Sequence, residues 1–275
     1  MDGAEWTVSL GEGNEQLRER FSISRARQDE FAARSHRLAA AAWDDGFYDD
    51  LVVPVEGVDL PRDESIRHDS TAEKLAALQP SFRRDGSITA SNASPLNDGA
   101  TALLLGSEAA AERLGLEPLA RIAGRGAFAL EPQAFGYAPV EAANIALERA
   151  GIGWAQVDAV ELNEAFAVQS LACVDAWMVD PEIVNVKGGA IAIGHPLGAS
   201  GARILGTLAK VLAEKGVCAA RVDRPEGPSS CLPRHHHPRR PGQRHSTSRS
   251  EHPISPISSE DYMITMSHMS LADRD

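Results

Sequence analysis

The stretch that most constrains this chain is Asn185-Val186-Lys187-Gly188-Gly189-Ala190-Ile191-Ala192-Ile193-Gly194-His195-Pro196-Leu197-Gly198-Ala199-Ser200-Gly201. It sets one side chain that titrates near neutral pH, His195, in a corridor of glycine and alanine. Glycine admits positive φ and close approach of a second backbone, so the corridor suits a crowded junction. Beyond it, Ala202, Leu205, Leu208, Ala209 and Leu212 recur at helical spacing as far as Lys215, and Gly216 is a natural stop. The pattern predicts a loop feeding a buried helix, with an imidazole near the helix entrance. Such a ring suits proton transfer. A histidine between glycine and proline is equally a structural turn residue unless other polar groups converge on it.

Read in order, the chain predicts a short strand at residues 6–10. A helix capped by Ser24 follows from Arg25 to about Asp44, with Phe31, Leu38 and Ala42 on one face. Residues 51–55 predict an edge strand, because Pro54 cannot donate to a ladder. Residues 71–78 predict a short helix, and Asp85-Gly86 a turn. The run Ile88-Thr89-Ala90-Ser91-Asn92-Ala93-Ser94-Pro95-Leu96-Asn97-Asp98-Gly99 is a polar loop before an apolar stretch, residues 100–105, expected to be a buried strand. Its amides and hydroxyls either satisfy one another or face a ligand.

Further on, helices are expected near 107–114 and 139–150, with strands at 120–124, 157–162 and 183–186. The strand at 157–162 ends in Asn163-Glu164-Ala165-Phe166-Ala167, opening a helix to about Trp177. Asn163 is a natural N-cap there, and capping alone accounts for it. Strands alternating with helices imply an α/β sheet with parallel crossover units. In such sheets ligands gather where strands end and helices begin, and Asn163 and His195 both occupy such ends.

Charge and cysteine usage narrow the function. The 275 residues carry 27 basic and 39 acidic side chains, a net charge of −12, which argues against nucleic acid as main partner. No apolar run approaches a membrane helix, and the N-terminus lacks a signal-peptide pattern. Cys173, Cys218 and Cys231 show neither metal-type pairing nor a disulfide framework. A reducing cytoplasm is the expected home. After Val217 the chain turns rich in arginine, proline, serine and histidine with no core-forming period, and disorder is expected for 217–275. Within it, His235-His236-His237 could bind a metal adventitiously; no metal site is expected.

Together the Asn163-to-Ala167 segment, the run Gly188 to Arg203 and the segment Asn92 to Gly99 resemble a thiolase. Ile23-Ser24-Arg25, Gln28-Asp29 and Phe31-Ala32 are similar to a helix of that family's coenzyme A loop region. Related β-ketoacyl synthases carry a similar Gly-His run but place a histidine where this chain has Asn163. The resemblance spans roughly residues 10–216. It implies an incomplete thiolase-like α/β fold: residues 1–90 a remnant of the coenzyme A-binding loop region, 91–216 most of the C-terminal half-domain, and 217–275 an unrelated tail.

The resemblance also implies chemistry. A thiolase joins or cleaves acyl units on coenzyme A through a cysteinyl acyl-enzyme, with acyl-CoA and coenzyme A as substrates and no cofactor. His195 would be the base that activates a thiol and a donor to the thioester oxygen. Asn163 would hold a water that completes that oxyanion arrangement. A free thiol is mostly protonated at neutral pH and needs such a base, and one preorganised oxyanion donor contributes about 3 kcal/mol. Ser94 and Phe166 match the pantetheine channel, and Phe82 and Arg67 match adenine-side or neighbouring contacts.

The departures are as specific. No cysteine precedes Cys173, which reads as a packing residue inside a helix. Cys218 and Cys231 lack the family's Cys-x-Gly motif, and the sequence beyond Val217 reads like another reading frame of a thiolase gene. The expectation is an N-terminally truncated thiolase with an altered C-terminus, catalytically incomplete and marginally stable alone. The alternative is a non-catalytic coenzyme A-binding fragment, or a partner of intact thiolase subunits; a homo-oligomer is also open.

Overall fold

The computed structural model describes residues 8–216 apart from Val58 and Pro61. Helix α1 (Leu10–Phe21) opens on Ser9, whose hydroxyl accepts the Glu12 N–H, and closes on Ser22 at φ 53°. The expected strand at 6–10 is therefore corrected where it is described: Leu10 is helical because Ser9 caps it, and residues 6 and 7 lie outside the described residues. Helix α2 (Arg25–Asp44) has the predicted Ser24 cap, with Arg27 N–H donating to its hydroxyl. Such a cap is worth about 1 kcal/mol. Its inner stripe is finer than predicted: Ala32, Ala39 and Ala42 are buried with Ser35 and His36, while Phe31 and Leu38 are half-buried. Small residues let other segments lie against this helix closely.

Helices α3 (Ala72–Ala76), α4 (Glu108–Leu114) and α5 (Ala138–Ala150) follow, capped by Thr71, Ser107 and the Gly151 C-cap in turn. Helix α6 (Ala167–Trp177) is almost wholly buried. The short α7 (Ala190–Ile193) then leads into α8 (Leu197–Lys215), which ends at Gly216 with φ 64°, as the sequence predicts. One core cluster joins Ile23, Ile88, Phe166, Val168 and Leu171. A second gathers Ala143, Val160, Leu162, Cys173, Trp177 and Val184 around α6.

The strand expectations meet a correction. Among the described residues, isolated bridges join Ala93 with Phe166 (antiparallel) and Val160 with Val184 (parallel), and Arg125 also takes a bridge position. The parallel bridge falls where strands 157–162 and 183–186 were expected. Residues 51–52 form a turn and a bend and 53–55 are irregular instead, with Val53 79% exposed. Residues 100–105 form no strand and are exposed, Leu104 at 78%, and 120–124 forms no ladder. A strand needs a neighbour for its N–H and C=O groups, and an apolar run does not itself supply one. No helix among the described residues is long and apolar enough to cross a membrane. The 217–275 tail, with Cys218, Cys231 and the histidine triplet, lies outside the described residues.

Candidate active site

Asn163 does not cap a helix. Helix α6 begins four residues later at Ala167, its N-cap is Phe166 and no side chain caps it. What fixes Asn163 is the carboxamide of Asn185. Its Oδ1 accepts the Leu162 N–H at 2.7 Å and its Nδ2 donates to the Leu162 carbonyl at 2.8 Å. The side chain thereby continues the Val160–Val184 bridge, in which Val160 N–H donates to Ile183 and Asn185 N–H to Val160. Asn185 itself sits at φ 47°, a conformation asparagine tolerates better than most residues.

The polar loop 88–99 then joins the two motifs. Ser94 N–H donates to the Ala165 carbonyl, Ala167 N–H to that of Asn92, and His195 N–H to that of Pro95. Buried Asn92 is satisfied internally: its Oδ1 accepts the Thr89 N–H while Nδ2 donates to Asp29 and to the Ser87 carbonyl. For Asn92, mutual bonding is the correct alternative of the two left open by the sequence.

These constraints bring the Nδ2 of Asn163 to 3.2 Å from the Nε2 of His195, with both side chains buried. On the opposite edge of the ring, His195 Nδ1 lies 2.7 Å from the Ser200 hydroxyl, which donates to the Pro196 carbonyl. A hydroxyl has one hydrogen to give. With it committed to Pro196, Nδ1–H donates to Ser200 and the Nε2 lone pair faces Asn163. This is the tautomer of a base acting through Nε2. The second Asn163 heteroatom, Oδ1, is buried with no partner among the described residues.

The remaining predicted residues divide. Ser94 and Phe166 lie together, linked by the Ala93–Phe166 bridge and by Ser94 hydroxyl donation to Ala165 at 3.3 Å. Phe82, 47% exposed, stands edge-on to Phe166 with ring centroids 6.2 Å apart. Arg67 is exposed, and its backbone N–H donates to Nδ1 of buried His36. Cys173 packs in the core, donating toward Gly136 carbonyl at 3.5 Å, and burial pushes its thiol up to about 12. That is the inert packing cysteine the sequence predicts. Among the described residues no cluster of histidine, cysteine or acidic side chains could hold a metal.

Four residues escaped the sequence reading: Ser200, Asn185, Glu164 and Arg203. Burial raises the Glu164 carboxyl pKa, against the bonds it accepts from Ser35, Asn185 and Ile191. Burial also raises Glu161, and lowers Arg203 against the attraction of Asp63, Tyr48 and the two glutamates. The hint for Ser200 lay in its distance from His195 along the entrance of a predicted helix.

Two family models match, the thiolase N-terminal domain over residues 4–109 and the thiolase C-terminal domain over residues 116–223. The chain belongs to the thiolase family. It is 44% identical over 233 residues to an acetyl-CoA acetyltransferase of Shinella zoogloeoides, covering 81% of this chain and 59% of that one. The acetyl-CoA acetyltransferase of Bacillus anthracis superposes with a TM-score of 0.73 at 44% identity, covering 76% of this chain and 55% of that one. Human mitochondrial 3-ketoacyl-CoA thiolase in complex with CoA gives 0.74 at 40% identity, over 76% and 54%. The fold is thus a partial thiolase fold, and the chain spans about half the length of the curated thiolases it matches.

Proposed function

We propose that this chain carries the base and oxyanion portion of a thiolase-type acyltransferase site, acting on acyl-CoA thioesters. The observation that carries the reading is the buried Asn163–His195 pair, with Asn163 Nδ2 3.2 Å from His195 Nε2. In this reading Nε2 of His195 takes a thiol proton and, once protonated, donates to the thioester oxygen as charge develops there. The partnerless Oδ1 of Asn163 suits the hold on a water that the family resemblance assigns to it. Ser94 and Phe166 line the approach of the pantetheine arm, and Phe82 and Arg67 stand farther out toward the nucleotide end. The coenzyme A named with the human structure and the acetyl-CoA named with the acetyltransferase relatives support this substrate class; fatty acid metabolism in the cytoplasm is the setting that goes with this reading.

Among the described residues the nucleophile is the missing part. Cys173 is fully buried and its thiol is shifted away from ionisation, so the described residues offer no attacking sulfur. That observation favours a second reading, a non-catalytic fragment that binds coenzyme A or associates with a second copy or an intact thiolase subunit. Thiolysis of acetoacetyl-CoA by the full chain, with coenzyme A added, separates the two. Turnover abolished by His195→Ala establishes a working acyltransferase and ends the claim of incompleteness. No turnover together with acetyl-CoA binding establishes the binding fragment, and neither result removes the coenzyme A reading.

A further inference from the structure

Helix α7 is one turn long, far too short to persist alone, yet it fixes where the backbone enters His195. Its two ends are held by ionisable side chains, buried Glu164 and half-buried Arg203. At the start, Ile191 N–H donates to Oε2 of Glu164 at 3.1 Å. The Ser35 hydroxyl donates to that same oxygen at 2.6 Å and accepts the Gly189 N–H at 3.0 Å. Oε1 of Glu164 accepts from Asn185 Nδ2 at 2.8 Å. At the finish, Arg203 Nη1 donates to the Gly194 carbonyl at 2.8 Å, one residue before His195. These are the backbone groups a short helix leaves unsatisfied, and the signs match: an acid on the N–H end, a guanidinium on the carbonyl end. The glycines complete the clamp. A Cβ on Gly189 would strike the Glu164 carboxyl group, and one on Gly188 would come within 2.6 Å of Ala39 and the Ser35 carbonyl.

Asn163 and Glu164 are neighbours in sequence, with one carboxamide on the His195 ring and the next carboxyl group on the helix that delivers that ring. We infer that Glu164 and Arg203 are positioning residues: they lock α7 at its two ends and so set the separation of Asn163 from His195. The clamp deepens the proposed function, since it rests on that pair being the reacting groups.

The test is a ring-15N spectrum of the histidine-labelled full chain, with the His195 signals identified by their loss in His195→Ala. Glu164→Gln puts an NH2 where a carboxyl oxygen accepts, and Ser35→Ala removes one link while keeping the carboxyl group. Arg203→Lys keeps the charge but loses the planar reach. Leu17→Ala, in α1 and remote from α7, serves as a control of comparable destabilisation. The clamp predicts that the α7 variants which fold lose the parent Nδ1–H tautomer pattern of His195, while Leu17→Ala keeps it. It is overturned if Ser35→Ala and Arg203→Lys both leave the His195 signals at parent values, or if Leu17→Ala moves them equally. Parallel titration with acetyl-CoA separates the two claims. A parent that fails to bind while its α7 variants shift His195 refutes the substrate reading alone; binding with an unmoved ring refutes the clamp alone.

Discussion

The Ser200 hydroxyl sits 2.7 Å from His195 Nδ1 while donating to the Pro196 carbonyl one turn back, so a single helix entrance both delivers the imidazole and sets its tautomer. Replacing Ser200 by alanine removes the acceptor for Nδ1–H in a buried setting. A buried donor deprived of its acceptor costs about 1 to 2 kcal/mol. The expected outcome for Ser200→Ala is a drop of that size in unfolding free energy, read from the urea midpoint at unchanged slope.

Asn185 carries three hydrogen bonds to Leu162 and Glu164 and stands at positive φ. Two effects compete on its replacement. Glycine relieves a left-handed conformation worth about 1 kcal/mol, but both glycine and alanine leave buried backbone groups unsatisfied, at about 1 to 3 kcal/mol each. The bonds outweigh the conformation. Asn185→Gly and Asn185→Ala both destabilise strongly in denaturant titration, with the glycine variant the less damaged of the two.

His36 gives the fold a pH response. Its burial, aided by the Arg67 charge, pulls the imidazole down to about 4 from 6.5. The folded state therefore keeps His36 neutral where the unfolded chain already binds a proton. Stability from this group is full above about pH 6.5 and is lost as pH falls toward 4, by up to about 3 kcal/mol. His36→Gln flattens the thermal-melt profile across that window.

Glu161 works in the opposite sense. Burial, with the Glu164 carboxyl group nearby, raises its pKa well above the usual carboxylate range, while Arg203 opposes the rise. A raised acid favours the fold when protonated, and that contribution fades as pH climbs above the unfolded value. Relative to the parent chain, Glu161→Gln gains stability between pH 5 and pH 8, measured by denaturant titration at each pH. A constant difference across that range contradicts the assignment.

The sequence disclosed the parts of the fold whose causes are local. The Ser24 cap of α2, the Gly216 stop of α8, the turn closed by Gly86 N–H on Arg83 and the short helices that begin after Thr71 and Ser107 all rest on bonds within a few residues. Helix α1 was equally legible in Ser9-x-x-Glu12, a capping pattern, but the aromatic and β-branched run before it reads as a strand. The strand readings at 51–55, 100–105 and 120–124 went astray because pairing depends on a distant partner, which composition cannot name.

At the site, His195 and Asn163 were legible by chemical type and by their place at element ends. Asn185, Glu164 and Arg203 were not. Each acts by bonding across 9 to 129 residues to backbone or side chains that only the folded chain brings near. A carboxamide extending a parallel bridge leaves no periodic trace, and buried charges look like surface charges in a sequence.

The central claim is that Asn163 and His195 together face a coenzyme A thioester, and calorimetric titration of the full chain with acetyl-CoA tests it most directly. The account predicts saturable binding by the parent, weakened about tenfold, or about 1.4 kcal/mol, in both Asn163→Ala and His195→Ala while their melting curves stay cooperative. Absence of binding by a folded parent, or equal affinity in all three proteins, contradicts it.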